Sequence, residues 1–186
     1  TAPFSVASQT IVLEASVSNS LPVNVGTVTF TLLNSAGATI GTPTASAIVA
    51  DGTARGNYVL PANTAQQSLV ILAAYSGGAG FAASYGIGTL TITATGTVTT
   101  VTNVSAALNP VDHTVALVGT VTAANASPIN EGTLTFTVRD GGGSIIGAPV
   151  ATSVVSNVAN ASFPLPGGLP AQTMTITGAS GGPGNF

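Results

Sequence analysis

The stretch Gly26-Thr27-Val28-Thr29-Phe30-Thr31 decides the fold class, because threonine alternates with branched or aromatic residues at a period of two. Successive side chains of a β-strand point to opposite faces, so this pattern predicts threonines in water and Val28 and Phe30 in a core. The stretch returns as Gly132-Thr133-Leu134-Thr135-Phe136-Thr137, about 106 residues later. Self-similarity at a fixed period marks tandem copies of one unit, and about 105 residues is the size of an independent domain. We therefore expect two copies of one small domain in series.

The register of the repeat predicts that both copies are incomplete. Residues 10–17 align with residues 114–121, so copy one lacks the counterpart of about 96–104, and copy two lacks that of about 82–95. We place copy one at 1–95, with its first strand truncated, and copy two at 96–186, with its last strand missing. Two interpretations follow: the chain is a window on a longer array, or neighbouring chains complete each other's missing strands. We favour the window, because a strand left out of a sandwich exposes a hydrophobic slot.

Period-two alternation continues along the whole chain, and turn residues such as Asp51-Gly52 and Asp140-Gly141 separate the runs. Strands are predicted at 10–18, 26–33, 38–42, 45–50, 53–60, 68–75 and 86–95, and again at 97–104, 113–123, 132–139, 144–147, 150–155, 158–163 and 172–178. About seven short strands per 100 residues is the signature of an immunoglobulin-like sandwich. The predicted fold is all-β: two tandem immunoglobulin-like antiparallel β-sandwiches, with incomplete or exchanged terminal strands.

The composition is poor in charge and free of cysteine. The chain has two Arg and no Lys, five Asp and Glu residues in total, one His and no Cys, with 45% hydrophobic residues and a net charge of -3. The hydrophobic content excludes ordinary disorder, and two cations cannot neutralise a nucleic-acid backbone. A surface of hydroxyls and small apolar groups repels its neighbours weakly, which favours lateral packing of copies. The alternative, hydroxyls that are solvated or glycosylated, stays open.

We identify no catalytic, cofactor-binding or metal-binding residue. His113 follows Asp112 directly, and adjacent strand residues point to opposite faces, so we expect a solvated turn rather than a catalytic relay. Asp51 and Asp140 precede glycine and are expected to form turns, and five scattered acids do not predict a calcium site. The expectation is a protein that is not an enzyme and needs no cofactor.

The two arginines and the aromatic residues are each expected in structural roles. For Arg139, beside Asp140, and Arg55, near Asp51, we expect exposed ion pairs or hydrogen bonds to loops, with an inter-subunit contact as the alternative. Tyr58, Tyr75, Tyr85 and the phenylalanines fall on alternating positions that predict core packing rather than a sugar-stacking platform. Any exposed aromatic cluster would involve Phe4, Phe81 and Phe186.

Two glycine-rich segments and one apolar segment also receive structural interpretations. Gly77-Gly78-Ala79-Gly80 and Gly181-Gly182-Pro183-Gly184 are predicted to be tight turns, since no lysine exists to complete a phosphate loop. Residues 69–90 are apolar enough to suggest a membrane span, but the first of these turns interrupts them. We predict two buried strands and no membrane insertion.

The order of motifs resembles a known family. G-T-V-T-F at 26–30, D-G-T-A at 51–54 and A-Y-S-G-G-A-G-F-A-A-S at 74–84 resemble bacterial immunoglobulin-like domains of the group-3 type, which occur in tandem in large surface and secreted proteins. Gly78 and Gly182 stand where the family usually has an acidic residue, so a metal contact at that turn is not expected here. The resemblance implies spacing, display and adhesion, and no chemistry.

These observations together predict a non-enzymatic structural repeat of an extracellular bacterial surface protein, which forms a stalk, sheath or filament by end-to-end chaining and lateral packing. The expected partners are other copies of itself. The alternative is an adhesin or carbohydrate-binding spacer of a larger surface or secreted protein, with cell-surface glycans or proteins as partners. A third interpretation is an accessory domain of a secreted enzyme.

Overall fold

A computed structural model describes residues 1–182 and 184–186, and every regular element in them is a β-strand. The predicted all-β fold is confirmed. The strands are β1 (Ala2–Pro3), β2 (Gln9–Ser16), β3 (Val28–Leu33), β4 (Thr44–Ala45), β5 (Thr53–Leu60), β6 (Gln67–Tyr75), β7 (Ser84–Thr93), β8 (Thr97–Val101), β9 (His113–Ala123), β10 (Thr133–Arg139), β11 (Ile145–Ser153), β12 (Val158–Leu165) and β13 (Thr175–Gly181). None of the described residues forms a helix with the length and apolar character needed to cross a membrane.

The backbone divides into two compact units. Unit 1 comprises Thr1–Ala94 with Asn185, and unit 2 comprises Thr95–Gly184 with Phe186. Unit 1 contains a five-stranded sheet in the order β1-β7-β6-β3-β4 and a two-stranded sheet, β2-β5. Unit 2 contains two three-stranded sheets, β11-β10-β13 and β12-β9-β8. The described strand pairs are antiparallel except β1 with β7, which is parallel and departs from the purely antiparallel prediction.

The alternation that predicts the fold places side chains as expected. In β3, Val28, Phe30 and Leu32 are buried, and the intervening threonines are exposed or half-buried. In β10 the equivalent residues Leu134, Phe136 and Val138 are buried. Each set packs with residues of the opposite sheet; in unit 2 one cluster joins β10 to Leu117 and Val121 of β9 and Ala159 and Phe163 of β12. Burial of these side chains from both sheets makes each unit a sandwich.

The two units share five strands; unit 1 has two further strands, β1 and β7, and unit 2 has one, β8. At the repeat offset, β2 through β6 correspond to β9 through β13. Unit 1 also has β7, which pairs with β6, whereas no described residue pairs with β13 on the side away from β10. Unit 2 has β8, which pairs with β9, and the described part of unit 1 has no equivalent beside β2.

Some predicted strands are shorter than expected, merged or absent. The predicted strand 38–42 is wrong: one isolated bridge, between Leu33 and Thr39, replaces it. In place of the predicted strand 45–50 the structure has β4. Beyond β4, the Val49 N–H donates one hydrogen bond to the Gly26 carbonyl. The predicted strands 144–147 and 150–155 form one strand, β11, whose pairing with β10 shifts register. β1 is not among the predicted strands, because its two residues form too short a run.

The apolar segment 69–90 forms two strands joined by a turn, as predicted, but only part of it is buried. At the turn, Gly78 and Phe81 exchange backbone hydrogen bonds of 3.0 and 2.9 Å. The first half of β7 is exposed on both faces, so the expectation of two buried strands is wrong for that half. The predicted turn at 181–184 includes Pro183, which lies outside the described residues.

The glycine that precedes β3 is required by both backbone conformation and space. Gly26 has φ of +76°, and a Cβ there would lie 2.4 Å from the carbonyl oxygen of Gly77. We expect Gly26→Ala to lower the free energy of unfolding by more than about 2 kcal/mol, because it adds a backbone clash to the cost of a left-handed residue. Gly37 is the matched control: its φ is +77°, and a Cβ would meet nothing within 4 Å.

The measurement is urea unfolding of both variants. Gly37→Ala should cost only the conformational term, about 1 kcal/mol. Equal destabilisation of the two variants would show that the close approach of the Gly77 carbonyl is not what demands glycine at position 26.

Tyr58 makes the stability of unit 1 sensitive to alkaline pH. Its ring is fully buried, and its hydroxyl donates a hydrogen bond to the Ile40 carbonyl. Burial, partly opposed by a backbone hydrogen bond at Leu32, raises the pKa of Tyr58 above its ordinary value. Because the folded state then holds the phenol proton more tightly than the unfolded chain, this contribution to stability is complete below about pH 10 and is lost as the pH rises further.

We expect the urea midpoint of the wild-type chain to fall between pH 9 and pH 11. Tyr58→Phe should be less stable at pH 7, because it loses the bond to Ile40, but should show a smaller fall over that range. A fall of the same size in the variant would assign the alkaline transition to another group.

Candidate functional site

The charged side chains make exposed ion pairs and turn contacts. Arg55 Nε lies 2.6 Å from Oε2 of Glu14, directly across β2 and β5, with both side chains more than half exposed. The prediction of an exposed ion pair is correct, although Glu14 and not Asp51 supplies the carboxylate. Arg139 Nη1 donates to the carbonyl of Gly143, the predicted bond to a loop. Exposed pairs of this kind contribute about 0–1 kcal/mol.

The aspartates hold turns. Asp140 Oδ1 accepts the backbone N–H groups of Gly142 and Ser144 at 2.9 and 2.8 Å, and Asp112 Oδ1 accepts that of Gly167 at 2.8 Å. Asp51 adopts φ of 47°, a conformation that aspartate tolerates in turns. Within the described residues, no group of three or more His, Cys, Asp and Glu side chains is placed to hold a metal ion.

His113 does not lie in a solvated turn, so that prediction is wrong. It is the first residue of β9, opposite Leu165, and shares the inward face of the strand with Val115 and Leu117. Both ring nitrogens are buried and have no hydrogen-bond partner among the described residues. The sequence signal was available, because the alternation in β9 extends back from Leu117 to His113.

His113 lines a cavity of ≈ 590 Å³ at one end of unit 2. The cavity lies between the two sheets, and residues 102–109 form part of its wall. Apolar side chains line it from three directions: Val115 and Leu117 of β9, Phe163 and Leu165 of β12, and Met174 and Ile176 at β13. This volume is in the range of ligand pockets, about 300–1,000 Å³. Polar residues, among them Asn103, His113 and Gln172, contribute as much of the lining as the apolar ones.

A second candidate surface is the outward face of the five-stranded sheet of unit 1. Tyr85 is 79% exposed and Ile87 is 77% exposed. In the register of β6 with β7, Ala74 lies opposite Tyr85 and Leu72 opposite Ile87. We call Val70, Leu72, Ala74, Tyr85 and Ile87 the outer face. The expectation that Tyr85 packs in the core is therefore wrong.

The position of Tyr85 follows from the alternation of inward and outward side chains along β7. Leu90 and Ile92 are buried, so even-numbered residues point inward and odd-numbered residues point outward. Tyr58 and Tyr75 are buried, as predicted. No exposed cluster forms at Phe4, which is buried, or at Phe81 and Phe186, which are half-buried.

Comparison with solved structures gives neighbours, among them one of low similarity. No protein-family model matches this chain, and no curated protein matches it. One solved structure similar to it is described as a tetra-tandem repeat in the extending region of a large adhesion protein. The two share 19% sequence identity with a TM-score of 0.43 over 94% of this chain and 45% of the neighbour. This chain therefore spans less than half the length of that neighbour.

Proposed function

We propose that this chain is a non-enzymatic structural repeat of an extracellular bacterial surface protein. Its units chain end to end and pack sideways against other copies, in a stalk, sheath or filament. The observation that carries the proposal is the outer face, an exposed apolar surface on one of two repeated sandwiches. The resemblance of the motifs to group-3 immunoglobulin-like domains supports the surface location and the tandem arrangement.

The outer face has no charge to keep a second copy away. Neither β6 nor β7, the two strands that form it, contains a charged residue. Its two most exposed side chains, Tyr85 and Ile87, lie next to each other on one face of β7, and Leu72 extends the apolar surface across β6. Contiguous apolar surface of this kind typically marks an interaction site. A second copy of the same uncharged face is the occupant that fits it best.

The neighbouring edge of the sheet also favours association. β1 pairs only with Ile92 and Thr93 of β7, so in the described structure residues 84–91 have no strand on that side. An edge strand with unpaired backbone groups is a template for another chain. Here the open edge adjoins the outer face, and copies could meet through both.

A test of lateral packing is the variant Ile87→Lys. A charge in the centre of an apolar contact removes the burial of a branched side chain, about 1.5–3 kcal/mol, and adds repulsion between copies. Self-association should weaken at least tenfold. Sedimentation velocity over a range of concentrations measures this.

The control is Ile48→Lys, a substitution of another largely exposed isoleucine that lies outside the strands of unit 1. It adds the same charge away from the outer face and should leave association unchanged. Lateral packing is wrong if the wild-type chain stays a dispersed monomer at millimolar concentration, or if both variants weaken association equally.

The exposed ring of Tyr85 favours a second candidate, an adhesin or carbohydrate-binding spacer. At 79% exposure, the ring of Tyr85 stays accessible to a ligand even though Ile87 lies beside it on the same face of β7. Binding to a glycan array that is retained in Tyr85→Phe and lost in Tyr85→Ala, with the wild type monomeric, would favour this role over lateral packing.

A further inference from the structure

We propose that lateral packing of this chain is a contact of unit 1 with unit 1, made by the outer faces of two copies, and that unit 2 takes no part in it. This contact rests on the proposed function, and it specifies both the partner surface and the number of copies that meet there. A difference between equivalent positions of the two units supports it.

The outer face of unit 1 continues onto β3 through an apolar side chain. Val70 of the outer face lies opposite Leu33 of β3, at the end of the paired strands. Leu32 is buried, so its neighbour Leu33 points outward, to the same side of the sheet as Val70. Together with Leu72, two residues along β6, these side chains form one apolar surface across two strands.

Unit 2 has polar or charged residues at the same three positions. At the repeat offset the equivalents are Arg139, Thr175 and Thr177. Arg139 lies opposite Thr175, in the same register as the equivalent pair of unit 1. Both threonines are exposed, and Arg139 points outward because Val138 beside it is buried.

The fold itself does not require apolar residues at these positions. Both units form the same pair of central strands, β3 with β6 and β10 with β13, although only unit 1 has the apolar set. The apolar side chains of unit 1 therefore add nothing that the sandwich needs. Contiguous exposed apolar surface of this kind marks an interaction site.

The other described sheet faces are poor partners for such a surface. The outward face of β2 and β5 carries the ion pair of Glu14 and Arg55, and that of β10 carries Arg139. Covering either with an apolar face would take charge out of water without a new partner. The outward face of β12 exposes Asn160 and Ser162, whose hydrogen bonds to water an apolar face cannot replace. A second outer face is the surface that matches.

A face that binds its own copy makes a two-fold contact. In such a contact the same patch is used on both copies, so the patch is fully occupied once two copies have met. Sheets packed face to face lie about 10 Å apart, which would bury Tyr85 and Ile87, the most exposed side chains of the outer face. We therefore expect this contact to stop at two copies.

The test places the same charge at equivalent positions of the two units. Leu72→Lys puts it on the outer face, and Thr177→Lys puts it on the corresponding face of unit 2. The first should raise the dissociation constant of self-association at least tenfold, and the second should leave it unchanged. Sedimentation equilibrium of the whole chain gives the dissociation constant and the number of copies, and thermal melting shows that each variant is folded.

A second variant covers loss of folding in Leu72→Lys. The double substitution Val70→Thr with Leu72→Thr gives unit 1 the residues that unit 2 has at the same positions, so it is compatible with the fold. It should also weaken association at least tenfold, because a two-fold contact loses two apolar side chains from each copy.

The possible results separate this contact from lateral packing in general. If Leu72→Lys and Thr177→Lys weaken association equally, unit 2 shares the contact, and the proposal is overturned while lateral packing stands. It is also overturned if no variant weakens association, or if the wild type grows beyond two copies in a way that Leu72→Lys abolishes. A wild type that stays monomeric overturns lateral packing itself.

Discussion

The structure of each unit depends on burial of one face of a central strand against the opposite sheet. In β3 and β10 every second side chain is apolar, and Phe30 and Phe136 are almost fully removed from water. The alternate threonines keep the other face compatible with solvent, so a shift of one residue would bury hydroxyls and expose both phenylalanines. With almost no charge and no disulfide in the chain, this alternation supplies most of the information that specifies the fold.

The sequence predicts the strands that have long alternation and clear turns. The bounds predicted for β5 and β9 agree with the observed ones, because Pro61 follows β5 and a turn at Ala124 and Asn125 follows β9. The wrong predictions depend on whether a partner strand pairs with the segment, which local alternation does not show. In the segment 38–42, Gly41 has a left-handed conformation that interrupts the extended backbone. The segment therefore makes only an isolated bridge, between Leu33 and Thr39, and forms no strand. β1 has two residues, and only its tertiary pairing with β7 makes it a strand.

The candidate sites were harder to predict because they depend on which side of a strand a residue faces. Tyr85 is aromatic and lies in an apolar segment, which suggests a core position. It is an odd number of residues from the buried Leu90, however, so its side chain points to the outer side of the sheet. His113 is polar and follows an aspartate, which suggests a turn. It is an even number of residues from the buried Leu117, however, so its side chain points to the inner side of the sheet. The cavity could not be read from residue types at all. It lies beside the edge of β13 that no described strand pairs with, a difference between the copies that the register of the repeat already predicts.

The parallel pair of β1 and β7 has a mechanical consequence. Tension applied to unit 1 through its two ends would pull Ala2 toward the beginning of β1 and Thr93 toward the end of β7. In a parallel pair these pulls act along the strands in opposite directions, so the inter-strand bonds bear the load together in shear rather than opening one after another. The hydrogen bond from the Phe4 N–H to the Thr93 carbonyl and the burial of the Phe4 ring strengthen the same contact. In the described part of unit 2, residues 106–108, the counterpart of β1, form no strand and make no such clamp.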